Sequence, residues 1–81
     1  MKEKLLLKIY SLEGEKEYKV DKVILPTFLG QITVLLNHQP LMCLIKKGKI
    51  SFWNEQGENQ ILVQREAFAK IEQKKVEIFL I

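Results

Sequence analysis

Residues Val23–Ile50 read VILPTFLGQITVLLNHQPLMCLIKKGKI, and this stretch decides the fold. Three short apolar runs are punctuated by Pro26, by Gly30, by Asn37-His38-Gln39-Pro40 and by Gly48. Pro26 lacks a backbone donor and is expected to close the first run, since proline is poorly tolerated in a central strand. Gly30 offers the permissive backbone that reverses the chain. Gln31–Leu36 returns as a strand rich in β-branched residues. Gln39 precedes proline and is biased toward extended geometry, so Asn37–Pro40 is a connecting turn rather than a helix. Leu41–Ile45 and Lys49–Trp53 are expected to pair as a hairpin around Lys46–Gly48.

The flanks repeat the pattern. Leu5, Leu7 and Ile9 alternate with Leu6, Lys8 and Tyr10, giving one apolar and one mixed face. Glu13-Gly14 supplies a turn, and Glu15–Leu25 resumes as extended chain. Asn54–Asn59 is polar around Gly57 and is expected to be a hairpin loop of the longer type. Gln60–Val63, Ala67–Glu72 and Val76–Ile81 follow, with Gln73-Lys74-Lys75 as the last turn. Strand-like runs every eight to twelve residues predict an all-β fold, a two-sheet β-sandwich of about eight to ten short strands. The chain has 81 residues, and residues 1–81 are expected to form a single domain.

Composition narrows the function. Hydrophobic residues make up 47% and charged residues 28%, an ordinary globular balance that excludes a disordered chain. The lone Cys43 cannot form an internal disulfide and fits a reducing compartment. Leu5-Leu6-Leu7 is interrupted by Lys8, far short of the roughly 20 apolar residues of a membrane span. Net charge is +3, yet lysines alternate with glutamates, a pattern of solvated faces rather than of a phosphate-binding stripe. Lys46-Lys47-Gly48-Lys49 reads as a turn decorated with lysines.

No catalytic constellation is legible. One histidine and one cysteine cannot supply the four Cys or His ligands of a structural zinc site. Cys43 sits in an apolar run, where an inert thiol is the ordinary case. The four glycines are isolated and form no phosphate-cradling loop, so no cofactor is expected. Glu13, Glu15 and Glu17 recur at strand spacing and are expected to guard an exposed edge against pairing with other proteins. Phe28 and Leu29 are the oddest local choice, because a turn between Pro26 and Gly30 would normally be polar. Either one folds back as a core plug, or the pair forms an apolar tip that meets a partner. Trp53, at a strand end, is placed in the core or at its margin. His38 reads as a turn histidine that caps neighbouring backbone.

Val23, Leu25, Pro26 and Gly30, then His38, Pro40 and Leu41, then Ile45, Gly48 and Ile50 resemble the signature of the ε subunit of F-type ATP synthases. The likeness runs colinearly from about Lys4 to Ile81 and is densest over Gly30–Gly48. Two departures stand out: Thr33 where the family often has a second glycine, and Gln64-Arg65-Glu66-Ala67 where it often has a Gly-Gly pair. The resemblance implies a central-stalk subunit with no catalytic site, joining the γ shaft to the membrane c-ring and coupling ion-driven rotation to ATP synthesis. It implies peripheral membrane association at the cytoplasmic face of a bacterial inner membrane. Thr27, Phe28, Leu29, Gly30 and Gln31 would face the c-ring. Ser11, His38, Gln39 and Met42 would contact γ, with His38 making a pH-sensitive contact. Family members usually continue into two C-terminal helices. The sequence stops at Ile81, so a coupling element without the helical hairpin is expected. The alternative is a small basic β-barrel binding single-stranded nucleic acid, for which Phe52 and Trp53 near Lys49 are the local hint.

Overall fold

The computed structural model describes residues 3–80. Among them nine strands follow one another: β1 Leu5–Ser11, β2 Gly14–Val20, β3 Lys22–Thr27, β4 Gly30–Val34, β5 Leu41–Ile45, β6 Gly48–Asn54, β7 Gly57–Val63, β8 Ala67–Ile71 and β9 Lys75–Phe79. The all-β expectation and the strand number both hold. Period-two alternation is visible in burial: Leu5, Leu7 and Ile9 point inward, while Leu6, Lys8 and Tyr10 are half-exposed.

The hydrogen-bonded path runs β2-β1-β9-β8-β5-β3-β6-β7, and β4 pairs with the remaining side of β3. All pairings are antiparallel except β1 with β9. The path is continuous but curls, so β2-β1-β9-β8-β5 forms one layer and β4-β3-β6-β7 the other. The layers are stitched at one point, Thr27 opposite Ile45. Elsewhere they meet through side chains, as where Tyr18 of β2 packs on Phe52 of β6 with ring centroids 4.8 Å apart. Leu7, Val20, Val23, Leu25, Val34, Ile45, Ile50, Val76 and Ile78 are fully buried between the layers.

Four local expectations are corrected. Pro26 does not close a strand; it lies inside β3, opposite Gln31 of β4. Its missing donor faces the other side, where β3 changes partner from β6 at Ile24 to β5 at Thr27, so no ladder bond is lost. Leu41–Ile45 and Lys49–Trp53 do not pair with each other, because β3 lies between β5 and β6 in the sheet. Glu15–Leu25 is broken at Asp21, whose N–H donates to the Trp53 carbonyl at 2.8 Å and turns the chain from one layer into the other. The expected long loop after Asn54 is a two-residue turn, with Asn54 directly opposite Gly57.

The register sorts the connections into two ends. One end gathers the β1–β2 and β3–β4 turns, the Lys46-Lys47 connection and the Gln64–Glu66 connection. The other gathers Asp21, Leu35–Pro40, Glu55-Gln56 and Glu72–Lys74.

Candidate functional site

Three hairpin turns share one device. In Ser11-Leu12-Glu13-Gly14, Thr27-Phe28-Leu29-Gly30 and Asn54-Glu55-Gln56-Gly57, the first side chain accepts the N–H two residues on. Those bonds measure 3.3 Å at Ser11, 3.2 Å at Thr27 and 2.9 Å at Asn54. Thr27 Oγ1 also donates to the Gly30 carbonyl at 2.5 Å. Gly30 has φ +117°, a conformation that disfavours any residue with a Cβ, although open space surrounds the position. The turn is thus fixed by its first and fourth residues. Its two central side chains are free to be anything the surroundings tolerate. The repeated spacing of Ser, Thr or Asn before glycine was present in the sequence and would have located all three turns.

At Phe28 and Leu29 the outcome is an apolar tip. Leu29 is 98% exposed and Phe28 55%, so neither plugs the core. Thr27, by contrast, is buried. Behind the tip an apolar groove of about 330 Å³ opens between the layers, bounded by Phe28, Ile32 of β4, and Leu41 to Leu44 of β5. Met42 is 62% exposed and Leu44 is exposed beside it. On the flank of Phe28 stand Lys46, Lys47 and Arg65, with Glu66. Cys43 lines the groove half-buried, and burial pushes its thiol pKa up, which leaves less thiolate at neutral pH.

The expected contact residues fall into separate places. Thr27–Gln31 stay together as the tip, and Met42 joins them across the groove. Ser11 lies at the same end of the sandwich, where its hydroxyl is engaged in its own turn. His38 and Gln39 lie at the opposite end. His38 Nδ1 and the Gln39 carbonyl are 2.7 Å apart, and its N–H donates to the Leu35 carbonyl at 3.2 Å. His38 therefore caps local backbone, as expected of a turn histidine.

Elsewhere, of the three expected edge glutamates, Glu13 lies in the β1–β2 turn and only Glu15 and Glu17 stand on β2. β2 ends the path, and Glu15 and Glu17 reach Lys8 of β1 at 4.0 and 3.4 Å. Lys8 has its pKa raised, first by a hydrogen bond with Tyr10, with further contributions from these carboxylates. Phe52 is buried, while Trp53 is half-exposed under the Lys22 ammonium at 4.4 Å. The two rings therefore form no shared stacking platform of the kind single-stranded nucleic acid requires.

The profile of the family described as "ATP synthase, Delta/Epsilon chain, beta-sandwich domain" matches residues 4–80. The chain belongs to this family. An ATP synthase epsilon chain of Agrobacterium fabrum (strain C58 / ATCC 33970) is 40% identical over 52 residues, which is 64% of this chain and 38% of that relative. A chain in the cryo-EM structure of the Euglena gracilis mitochondrial ATP synthase, OSCP/F1/c-ring, superposes with a TM-score of 0.85 at 19% identity, covering 98% of this chain and 51% of that one. Another, from the central stalk/c-ring structure of the Tetrahymena thermophila mitochondrial enzyme, gives 0.76 at 9% identity, covering 96% and 63%. At such identities the two structures establish the fold. The delta/epsilon sandwich thus spans less than two thirds of the length of each of these relatives.

Proposed function

We propose that this chain serves as the ε-type subunit of an F-type ATP synthase central stalk, joining the γ shaft to the membrane c-ring and coupling ion-driven rotation to ATP synthesis. Family membership across residues 4–80 carries the reading. The exposed Phe28–Leu29 tip supports a docking role, since a turn that needs no apolar centre has one. On this reading the subunit has no catalytic site or cofactor of its own. It associates peripherally with the membrane, at the cytoplasmic face of a bacterial inner membrane. The tip Thr27–Gln31 faces the c-ring. Met42 lies on the γ side, together with Ser11, His38 and Gln39. Because Ser11 and His38 occupy opposite ends of the sandwich, γ would have to run along its length to meet both. Such a span suits an interface above roughly 1,000 Å², the size expected of a specific and durable contact.

The test is co-expression with the γ subunit and c-ring of the same source, followed by purification through a tag on γ. The chain should co-purify, and Phe28→Asp should reduce its recovery with the c-ring while His38→Glu reduces its recovery with γ. Failure of the unsubstituted chain to co-purify with either partner would refute the assignment.

A further inference from the structure

We infer that the end of the sandwich bearing two apolar turns docks directly on an anionic lipid surface, without either partner protein. The inference goes beyond the central-stalk reading. It concerns the chain outside the complex, because that reading covers the Phe28–Leu29 tip with the c-ring. The β1–β2 turn carries an apolar tip of its own at this end, Leu12, which is 87% exposed. Like Leu29, it sits at the centre of a turn whose frame is set by the first and fourth residues. Both side chains therefore project from stiff hairpins and can enter a lipid phase without ordering any backbone.

Cations stand between the tips. An open cleft of about 610 Å³ brings Phe28 together with Lys46, Lys47 and Arg65. Arg65 also lines the neighbouring cleft beside Leu12, which places it between the two turns. Ion pairs among the described residues engage Lys4, Lys8, Lys74 and Lys75, and none of Lys46, Lys47 or Arg65. The connections at this end hold those three cations against the carboxylates of Glu13 and Glu66. Those at the other end hold Lys74 against Asp21, Glu55 and Glu72. A negative surface thus attracts one end and repels the other.

The layout also selects lipid over protein. A protein interface gathers its apolar residues at the centre and leaves charge at the rim. Here the order is reversed: Leu12 and Phe28 line different clefts, and Arg65 is common to both. A bilayer accommodates separated anchors, since each tip can sink below the headgroups while lysine and arginine remain at their level.

Sedimentation of the chain with protein-free vesicles tests the inference. At low ionic strength, phosphatidylcholine vesicles with roughly 30% phosphatidylserine should bind the chain at least about tenfold more tightly than phosphatidylcholine alone. Lys47→Gln should weaken that binding about fivefold. Lys74→Gln, the same charge change at the other end, should weaken it less than about twofold. Leu29→Ser should weaken it severalfold at every salt concentration, because the lost contact is apolar. Equal losses for Lys47→Gln and Lys74→Gln would reduce the attraction to net charge and overturn the docking face. Release by about 10 mM inorganic phosphate, beyond that caused by chloride at equal ionic strength, would assign the cations to a soluble anion and overturn lipid docking. Equal binding to both kinds of vesicle, or none, would overturn it as well. Each of these failures leaves the central-stalk reading standing, because neither γ nor the c-ring is present.

Discussion

The Thr27–Gly30 and Asn54–Gly57 turns are built alike and finished differently. Each begins with a side chain that accepts the N–H two residues on, and each ends with a glycine at positive φ. At one the centre is Glu55-Gln56, solvated as turn chemistry predicts. At the other it is Phe28-Leu29, equally exposed and wholly apolar. Since the turn frame demands only the first and fourth residues, the apolar centre is not a requirement of the frame. The central-stalk proposal assigns that difference to a partner.

The shared frame should show the largest stability effects. Gly30→Val forces a β-branched residue to φ +117° and Gly57→Val to φ +107°. Each should cost about 1–3 kcal/mol in urea unfolding, and similar losses at both would confirm a common device. The first residues should then part company. Thr27 is buried, so Thr27→Val strands the Leu29 N–H and should cost about 1–3 kcal/mol; Asn54→Ala is half-exposed, water substitutes, and about 0.5 kcal/mol is expected. Equal losses at the two sites would erase that distinction.

The turn centres should matter least to folding. Phe28→Asp and Glu55→Leu should each leave stability within about 0.5 kcal/mol of the unsubstituted chain. A larger loss at Phe28 would mean that the tip contributes to the core after all. The smallest effect concerns Cys43. Its pKa is raised by burial, so less thiolate is present at a given pH, and alkylation at pH 8 should run slower than for a free cysteine. The rate should climb as pH rises through the elevated pKa. A rate matching that of a free thiol would contradict the half-buried seam.

Much of this was legible in the residues. Alternation along Leu5–Ile9 announced an inward apolar face, and regular turn spacing announced an all-β sandwich. Sequence adjacency misled at β5 and β6. The chain passes directly from one to the other, but β3, placed earlier, occupies the position between them. No local signal distinguishes a hairpin from a crossing that skips a neighbour. Pro26 misled for a related reason: whether a missing donor matters depends on which partner lies on that side of the strand, and there β3 is changing partners. Phe28 and Leu29 were visible as an anomaly, yet their exposure depended on the Thr27 and Gly30 contacts that hold the turn open. The groove along β5 was not legible at all, because an uncharged strand is equally suited to a buried centre and an open edge.

The most direct measurement exchanges the two turn centres within one chain, placing Glu-Gln at positions 28–29 and Phe-Leu at positions 55–56. Composition and turn frames are preserved, and recovery with the tagged γ subunit and c-ring is compared with the unsubstituted chain. The exchanged chain should fold with unchanged stability and lose most of its association with the c-ring. Full retention on the c-ring would contradict the assignment of the Thr27–Gln31 tip as the surface made for that partner.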